Sequence, residues 1–377
     1  MKVAYFTDNY LPATNGIVTY IINTKKELEK RGHEVFVVAP NYPNQKEEKN
    51  IIRVKSFSFP LIKQDRFITP FESIPNSLER PDIIHCHLFT TTFMALRYAK
   101  KNAVPTVVTY HTLFTDYVRR IYPPAQKISY PIVKLITKWY FDKFDAVIAP
   151  SQKVVRALKE AGVKTKIYQV NNAINLKEFQ DKNDTLFRKK FNVSQKYIIS
   201  VSTLDKGKNV QLAVEAMPTV LKNFPNIKLV IAGEGNEGQK LNKLVQKLGL
   251  TSNVLFTGFL KRDEVASAYK GAEFSLELSV VDTLPTVATE AATTGKALVA
   301  LKDDAMVDIV KNDVNGLVIE KPNPQELANA MIKLLKDPKL LNRYSKGSLD
   351  IVKNFSIEHY VDKLEKIYRE VINTKIP

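Results

Sequence analysis

The sequence predicts an α/β protein built from two doubly wound domains, each a parallel sheet with helices on both faces. Three observations predict it. At 377 residues the chain is long for one domain and suits two, each able to bury its own core. Short apolar, strand-like runs alternate with amphipathic helical stretches, which is the order of βαβ units and a parallel sheet. The alternation starts twice, at Lys2 and again at Tyr197, with a charged linker from Lys177 to Lys190 before the second start. The division read from this is residues 1–176, 177–355, and a last helical segment, 356–377.

Composition bounds the class. Apolar residues make up 44% of the chain and charged residues 25%, the balance of an ordinary soluble globular protein. No apolar run approaches the length of a membrane span. The opening, Met1 to Tyr10, lacks a secretory signal's basic-then-apolar plan, so a cytoplasmic protein is expected. The single cysteine, Cys86, forms no internal disulfide and suits a reducing compartment. Net charge is +17. On charge alone such a surface attracts nucleic acid and anionic lipid about equally, so the placement of the charge has to decide.

Lys2 to Asp8 reads as the first strand, 9–16 as a loop, and Ile17 to Arg31 as an amphipathic helix closed by Gly32. Glu34 to Ala39 is the second strand. The loop falls at the carboxyl edge of the sheet, where doubly wound folds bind ligands. Gly16 lets a ligand approach the backbone at the helix start, although a plain turn glycine fits there equally. Pro81-Asp-Ile-Ile-His85-Cys-His87 is a strand on which His85 and His87 share a face. A metal site would need further ligands at recognisable spacing, and none stands there. The pair reads as strand-end polar residues, and no metal is expected. Val104 to Thr112 is the next strand, entering a loop at His111, where a capping histidine is one reading. Phe144 to Ala149 leads into a helix cap at Ser151, and Lys166 to Val170 is a further strand.

Between these strands lies a basic, aromatic stretch. Arg119, Arg120, Lys127, Lys134, Lys138 and Lys143 are interleaved with Tyr117, Tyr122, Tyr130, Trp139, Tyr140 and Phe141. On a helical wheel of about 100° per residue, Lys127, Lys134 and Lys138 fall on one line. Ile128, Ile132, Leu135, Ile136 and Trp139 cluster about 120° away. Pro131 belongs in a first turn, so the helix is expected to begin near Tyr130. A basic stripe beside a Trp-bearing apolar stripe is what an interfacial helix needs, and each lysine near an anionic surface adds about 1 kcal/mol. Burial of the same apolar stripe in the domain core is the other placement. The core is read for Ile128 to Ile136, and contact with an anionic membrane for some part of Arg119 to Lys143. Nucleic acid is disfavoured, because no helix-turn-helix, zinc finger or RNP-like strand appears.

In the second domain Tyr197 to Leu204 is a strand, Asp205-Lys-Gly-Lys208-Asn a loop, and Val210 to Asn223 a helix. Gly233, Gly235 and Gly238 form G-x-G-x-x-G between a strand and a helix, as in a dinucleotide site. The following strand ends in Gly258-Phe259 and not in an acid for a ribose hydroxyl, so that reading is set aside. Phe274-Ser-Leu-Glu-Leu is a strand, followed by a loop with Asp282 and a helix with Glu290, closed by Gly295. A helix start offers unpaired N–H groups and the positive end of its dipole, which suits phosphate. Carboxylates beside it suit neutral hydroxyls, so the ligand carries both phosphate and polyol. Two solvated acids on an ordinary strand–helix unit are the plain alternative. Ala297 to Leu301 is a strand, Asp303-Asp304 starts a helix, and Asn315 to Ile319 is the last strand. Pro324 to Lys336 is an amphipathic helix. A final helix follows Ser356, with Val361, Leu364, Tyr368 and Val371 on one face.

Three stretches carry a resemblance to a known family. Asp282 and Glu290, with seven residues between them, are similar to the acid-x7-acid motif of GT-B retaining glycosyltransferases, and of glycosyltransferase family 4 in particular. Members commonly read Glu-Gly-Leu-Pro-x-x-x-x-Glu-Ala; here the first acid is Asp282. The Asp8-x-Tyr-x-Pro-x-x-Asn-Gly-Ile17 run and His111-Thr-x-x-x-Asp116-Tyr117 resemble one branch of that family. The branch holds diacylglycerol glucosyltransferases and phosphatidylinositol mannosyltransferases. The likeness runs nearly end to end.

The resemblance implies a GT-B fold, two Rossmann-like domains facing a cleft, and transfer of a hexose from a nucleotide diphosphate sugar with retention. It implies that the Gly16 loop and Lys208 meet the donor diphosphate and that His111 lies near the transferred sugar. Asp282 would orient sugar hydroxyls, with about 1.5 Å less reach than glutamate. Glu290 would hold the ribose, and Gly258 would lie near the nucleobase. Backbone N–H groups at Leu284 and Thr286 would meet sugar or phosphate, whereas Pro285 has none to give. Thr203 stands where the family has an arginine, and a hydroxyl replaces two charge-assisted bonds by at most one neutral one. No Asp-x-Asp occurs, so a metal-bridged diphosphate is not expected and no cofactor is implied. The expected donor is UDP-glucose and the expected acceptor a membrane lipid, diacylglycerol or a glycosyl-diacylglycerol, with peripheral attachment to the membrane's cytoplasmic face. A soluble or polyprenyl-linked acceptor, and a non-catalytic binding subunit, remain open. Subunit number is not set by the sequence.

Overall fold

The computed structural model describes residues 1–13, 15–43, 45, 48–59, 62–68, 74, 78–87, 90–111, 126–282 and 286–375. The chain divides into two compact units, Met1–Ala173 with Ile357–Pro377, and Ile174–Ser356. Each is a parallel sheet with helices on both faces, the fold class expected.

In the first unit the strands are β1 Lys2–Phe6, β2 Glu34–Pro40, β3 Ile51–Val54, β6 Ile83–Cys86, β7 Thr106–Thr109, β8 Ala146–Ala149 and β9 Ile167–Gln169. Among the described residues they form a seven-stranded sheet in the order β3-β2-β1-β6-β7-β8-β9. Between β3 and β6, β4 Ser56–Phe59 and β5 Ile62–Ile68 pair antiparallel as a separate ribbon that the sequence did not announce. β1 is covered on both sides, so Val3, Ala4, Tyr5 and Phe6 are all buried and the strand reads as an unbroken apolar run. Cys86 pairs with Phe6 and with Val108, which brings the ends of β6 and β7 together at the carboxyl edge.

Helix α1, Gly16–Lys30, starts on Asn15, whose Oδ1 accepts from the N–H groups of Ile17 and Val18 at 3.0 Å each. That cap satisfies two of the orphan donors a helix start leaves. The chain's last helix, α13 Ile357–Lys375, belongs to this unit and lies against α1. Val361, Leu364, Tyr368 and Val371 are buried, as the spacing predicts, each such aliphatic side chain being worth about 1.5–3 kcal/mol. Arg31 ties the pair together through Asp362 at 2.6 Å and Glu365 at 3.0 Å. The remaining helices here are α2 Thr90–Asn102, α3 Gln126–Phe141 and α4 Gln152–Glu160, the last capped by Ser151 as expected.

The second unit's strands are β10 Tyr197–Val201, β11 Lys228–Ala232, β12 Val254–Gly258, β13 Phe274–Glu277, β14 Ala297–Leu301 and β15 Gly316–Ile319. Their order is β12-β11-β10-β13-β14-β15. The strand order reverses between β10 and β13, the place where such sheets open a crevice for ligands. The helices are α5 Lys177–Gln180, α6 Thr185–Phe191, α7 Val210–Leu221, α8 Gly238–Lys247, α9 Arg262–Gly271, α10 Thr286–Thr293, α11 Pro324–Lys336 and α12 Pro338–Val352.

Several expectations need correcting. The charged stretch 177–190 is not a free linker: it folds into α5 and α6, whose Phe179 and Phe187 are buried in the second unit's core. Helix α3 starts at Gln126, not near Tyr130, and Pro131 sits inside it. Pro131 is on an exposed face, so the carbonyl it leaves without a partner can meet water. Asp303-Asp304 opens only a single 3₁₀ turn, Met306–Asp308, and α12 was missed.

Candidate active site

The second unit brings one group of charged residues together at the switch between β10 and β13. Lys208, from the loop after β10, pairs with Asp282, from the loop after β13; Nζ to Oδ1 is 2.5 Å. Both side chains are largely shielded, at 14% and 19% exposure. Glu290 lies one turn into α10 and is buried. Its Oε1 is 3.8 Å from Nη1 of Arg262 on α9. The same guanidinium donates through Nε to Glu178 of α5 at 2.7 Å and covers the Phe179 ring. Burial pushes the Glu290 carboxyl up to about 7, with Arg262 pulling it down and Glu178 pushing it up.

Glu277, at the end of β13, was read only as part of a strand, yet it belongs to this group. It is fully shielded and accepts a hydrogen bond from Ser275 Oγ at 2.7 Å. Burial raises its carboxyl to about 8; the Ser275 bond and Lys208 oppose that, while the charges of Asp282 and Glu290 add to it. The signal was present: in Phe274-Ser-Leu-Glu-Leu the serine and glutamate alternate onto one face of a strand that is otherwise apolar. Arg262 and Glu178 carried no comparable signal, because their meeting with Glu290 depends on α5, α9 and α10 packing together.

The loops nearby are set by close backbone approach. A Cβ on Gly233 would lie 1.9 Å from the Ser202 carbonyl oxygen, and one on Gly235 2.5 Å from that of Leu204. The G-x-G-x-x-G glycines thus seat the loop after β11 on the loop after β10, where Leu204 N–H donates to the Glu234 carbonyl at 2.9 Å. Thr203 is exposed just beyond β10, with Lys206 exposed beside it. The buried Ser202 hydroxyl has no hydrogen-bond partner among the described residues. At Gly258 the chain turns, Phe259 N–H donates to Glu234 at 3.2 Å, and the Phe259 ring is exposed. Thr286 is the exposed first residue of α10; Leu284 and Pro285 lie outside the described residues.

In the first unit His111 stands two residues past β7 and is buried beside His87 and Tyr20. His111 Nε2 is 3.2 Å from His87 Nδ1, and the Tyr20 ring meets His111 edge-on at 5.1 Å. Burial holds the His111 ring down at about 3, so it is neutral at any ordinary pH. His85 lies against His87 and contacts Tyr368 and Thr109 at 2.6 and 2.7 Å. Gly16 is an exposed helix start with open space where a Cβ would stand. Among the described residues no group of three or more histidine, cysteine or acidic side chains is placed to hold a metal.

Helix α3 presents the largest surprise. Val133, Thr137, Tyr140 and Phe141 are buried, whereas Tyr130, Ile132, Leu135, Ile136 and Trp139 are exposed, Leu135 at 68% and Trp139 at 51%. The expectation that Ile128 to Ile136 join the core is overturned at Ile132, Leu135 and Ile136, while Val133 does join it; the Ile128 side chain lies outside the described residues. The core-facing side is the one through Val133 and Tyr140, which a wheel alone could not choose. Lys134 lies over the Tyr130 ring and Lys143 over Trp139, at 4.8 and 4.1 Å. Lys138 pairs with Asp142. Arg119 and Arg120 lie outside the described residues, as does the Lys127 side chain. No helix among the described residues is long and apolar enough to cross a membrane.

A doubly wound pair of units with a cation–acid pair at one switch point and a buried histidine at a strand end defines a class, and comparison with known proteins agrees. The model for Glycosyltransferase Family 4 matches residues 14–178, and that for Glycosyl transferases group 1 matches 181–349. The chain belongs to these GT-B-type glycosyltransferases. Within them it is similar to the alpha-monoglucosyldiacylglycerol synthases of Streptococcus pneumoniae, at 28% identity over 99% of this chain and 86% of that one, and of Acholeplasma laidlawii, at 26% over 99% and 98%. It is also similar to the GDP-mannose-dependent alpha-mannosyltransferase of Corynebacterium glutamicum, at 24% over 99% and 89%. The fold matches sucrose-phosphate synthase from Thermosynechococcus elongatus, with TM-score 0.76 and 19% identity over 99% of each chain. It also matches Anabaena HepE solved with UDP and glucose, with TM-score 0.74 and 16% identity over 98% and 100%.

Proposed function

We propose that this glycosyltransferase moves a hexose from a nucleotide diphosphate sugar, UDP-glucose, to the free hydroxyl of a membrane diacylglycerol, with retention at the anomeric carbon. The observation that carries the reading furthest is the Lys208–Asp282 pair beside the buried Glu290. It sets a cation for phosphate and two carboxylates for hydroxyls at one sheet edge. On donor binding, the Lys208 ammonium turns to the diphosphate and Asp282 is released to the sugar hydroxyls. Glu290 accepts from the ribose hydroxyls, and the start of α10 faces the phosphates. The acceptor oxygen bonds to the anomeric carbon on the face the nucleotide leaves. The hydroxyl proton goes to the departing phosphate oxygen, so no side-chain nucleophile is needed. Lys208 and the helix start offset the charge on the leaving group without a metal.

The lipid acceptor is supported by the likeness to the two alpha-monoglucosyldiacylglycerol synthases and by α3. Its exposed Ile132, Leu135, Ile136 and Trp139, flanked by Lys134 and Lys143, fit the interface of an anionic bilayer at the membrane's cytoplasmic face.

The test is transfer of radiolabel from UDP-glucose into liposomes of diacylglycerol and phosphatidylglycerol, run with and without EDTA. A labelled lipid of α configuration, formed equally in both, is expected. Release of free labelled glucose without a lipid product would sink the acceptor, and loss of product with EDTA would sink the metal-free site.

A further inference from the structure

Within the first unit the side chains of His85, His87, His111, Tyr5, Tyr20, Tyr360 and Tyr368 make a polar core, all of them buried. Both ring nitrogens of His85 are engaged, by Tyr368 and by Thr109. His87 differs. Its Nδ1 faces His111 Nε2 at 3.2 Å, but its Nε2 is buried with no hydrogen-bond partner among the described residues. All three rings are held neutral, because burial opposes their charged forms.

One hydrogen therefore lies between His87 and His111, and two arrangements are possible. If His111 supplied it from Nε2, His87 would carry its own hydrogen on Nε2, a buried N–H with no acceptor among the described residues. Such orphaned donors are rare in folded proteins, whereas an under-used lone pair is tolerated more often. The rings of Tyr5 and Tyr20 beside His87 are at most weak acceptors.

We infer that His87 donates from Nδ1 to His111 Nε2, and that this fixes His111 as the tautomer with its hydrogen on Nδ1. His87 is then a positioning residue. His111 then carries a donor at Nδ1 and cannot take a proton there as a base. The tautomer follows from the packing alone; that the Nδ1–H meets a hydroxyl of the transferred sugar rests on the proposed glycosyl transfer. A donor at that point orients the sugar and leaves deprotonation of the acceptor to the departing phosphate.

The experiment is long-range proton–nitrogen NMR of the full chain with ¹⁵N-labelled histidine rings. The chain has five histidines, and single substitutions assign them. The expected result is a protonated Nδ1 and a bare Nε2 on His111 at both pH 6 and pH 8. A protonated Nε2 on His111 would overturn the inference. In the transfer assay, His87→Leu should lower kcat about tenfold with KM little changed, the size of one lost neutral hydrogen bond. His87→Asn, whose amide can donate from the place of Nδ1, should restore most of it. Equal loss in both variants would remove the positioning role. If no sugar is transferred at all, the nitrogen shifts still decide the tautomer, so the two readings fail separately.

Discussion

Replacing Glu277 by glutamine is expected to stabilise the second unit at alkaline pH. The folded-state carboxyl is raised from 4.5 to about 8 by burial, so the fold holds this proton where the unfolded chain would release it. Stability from such a group is whole below about pH 4.5 and is lost as pH rises through 8. For one group shifted that far, the loss between pH 5 and pH 8 is about 3–4 kcal/mol. Glutamine has the same shape, can still accept the Ser275 hydroxyl, and does not ionise. The opening free energy of the wild type should therefore fall by about 3–4 kcal/mol relative to Glu277→Gln over that range. Trp139 is the only tryptophan and lies in the first unit, so its fluorescence is the wrong probe. Native-state hydrogen exchange of peptides from β10, β13 and β14, read by mass spectrometry, reports on the right sheet. Parallel stability curves for the two proteins between pH 5 and pH 8 would refute the reasoning.

Two further outcomes follow from the same unit. If Glu290 holds the ribose as proposed, its carboxyl, raised to about 7, accepts two hydroxyls best when ionised, so donor affinity should rise with pH through 7. Arg262→Ala should move that midpoint up and Glu178→Gln should move it down, as titration calorimetry at several pH values would show; an affinity that ignores pH rules the idea out. Gly235→Ala forces a Cβ into the Leu204 backbone and should cost about 1–3 kcal/mol by overpacking, measured by urea unfolding followed in the second unit.

The fold was legible because its signals are local. Parallel strands buried on both faces show as apolar runs, and caps such as Ser151 and breakers such as Gly32 mark the helix ends. The site was legible where a motif has fixed spacing, as with Asp282 and Glu290. The rest depends on packing between elements far apart in sequence. The wheel of residues 127–141 showed an apolar stripe, but whether that stripe is covered depends on where Val133 and Tyr140 find their core. Glu178 and Arg262 stand far apart in sequence and read as surface charges until α5 and α9 meet beside Glu290. The linker failed for the same reason: charged residues, Lys above all, dominate its composition, while Phe179 and Phe187 decide its fate.

Burial also bears on Thr203. Counted from the sequence, Glu178, Glu277, Asp282 and Glu290 outnumber Lys208 and Arg262, a poor setting for the diphosphate of the proposed donor. The count misleads because two of the acids are deeply buried. Glu277, raised to about 8, is mostly protonated at neutral pH, and Glu290, raised to about 7, is protonated about half the time there. Before the donor binds the cluster thereby sheds negative charge, with Asp282 held against Lys208 and Glu178 against Arg262. Withdrawing negative charge by burial does for a diphosphate part of what an added arginine would do. It does so without the two-pronged geometry of a guanidinium, so in the proposed reading orientation of the phosphates would fall to Lys208 and to backbone N–H groups at the start of α10. A chain with threonine at 203 therefore gains most from keeping Glu277 buried, which a surface glutamate at that strand end could not provide.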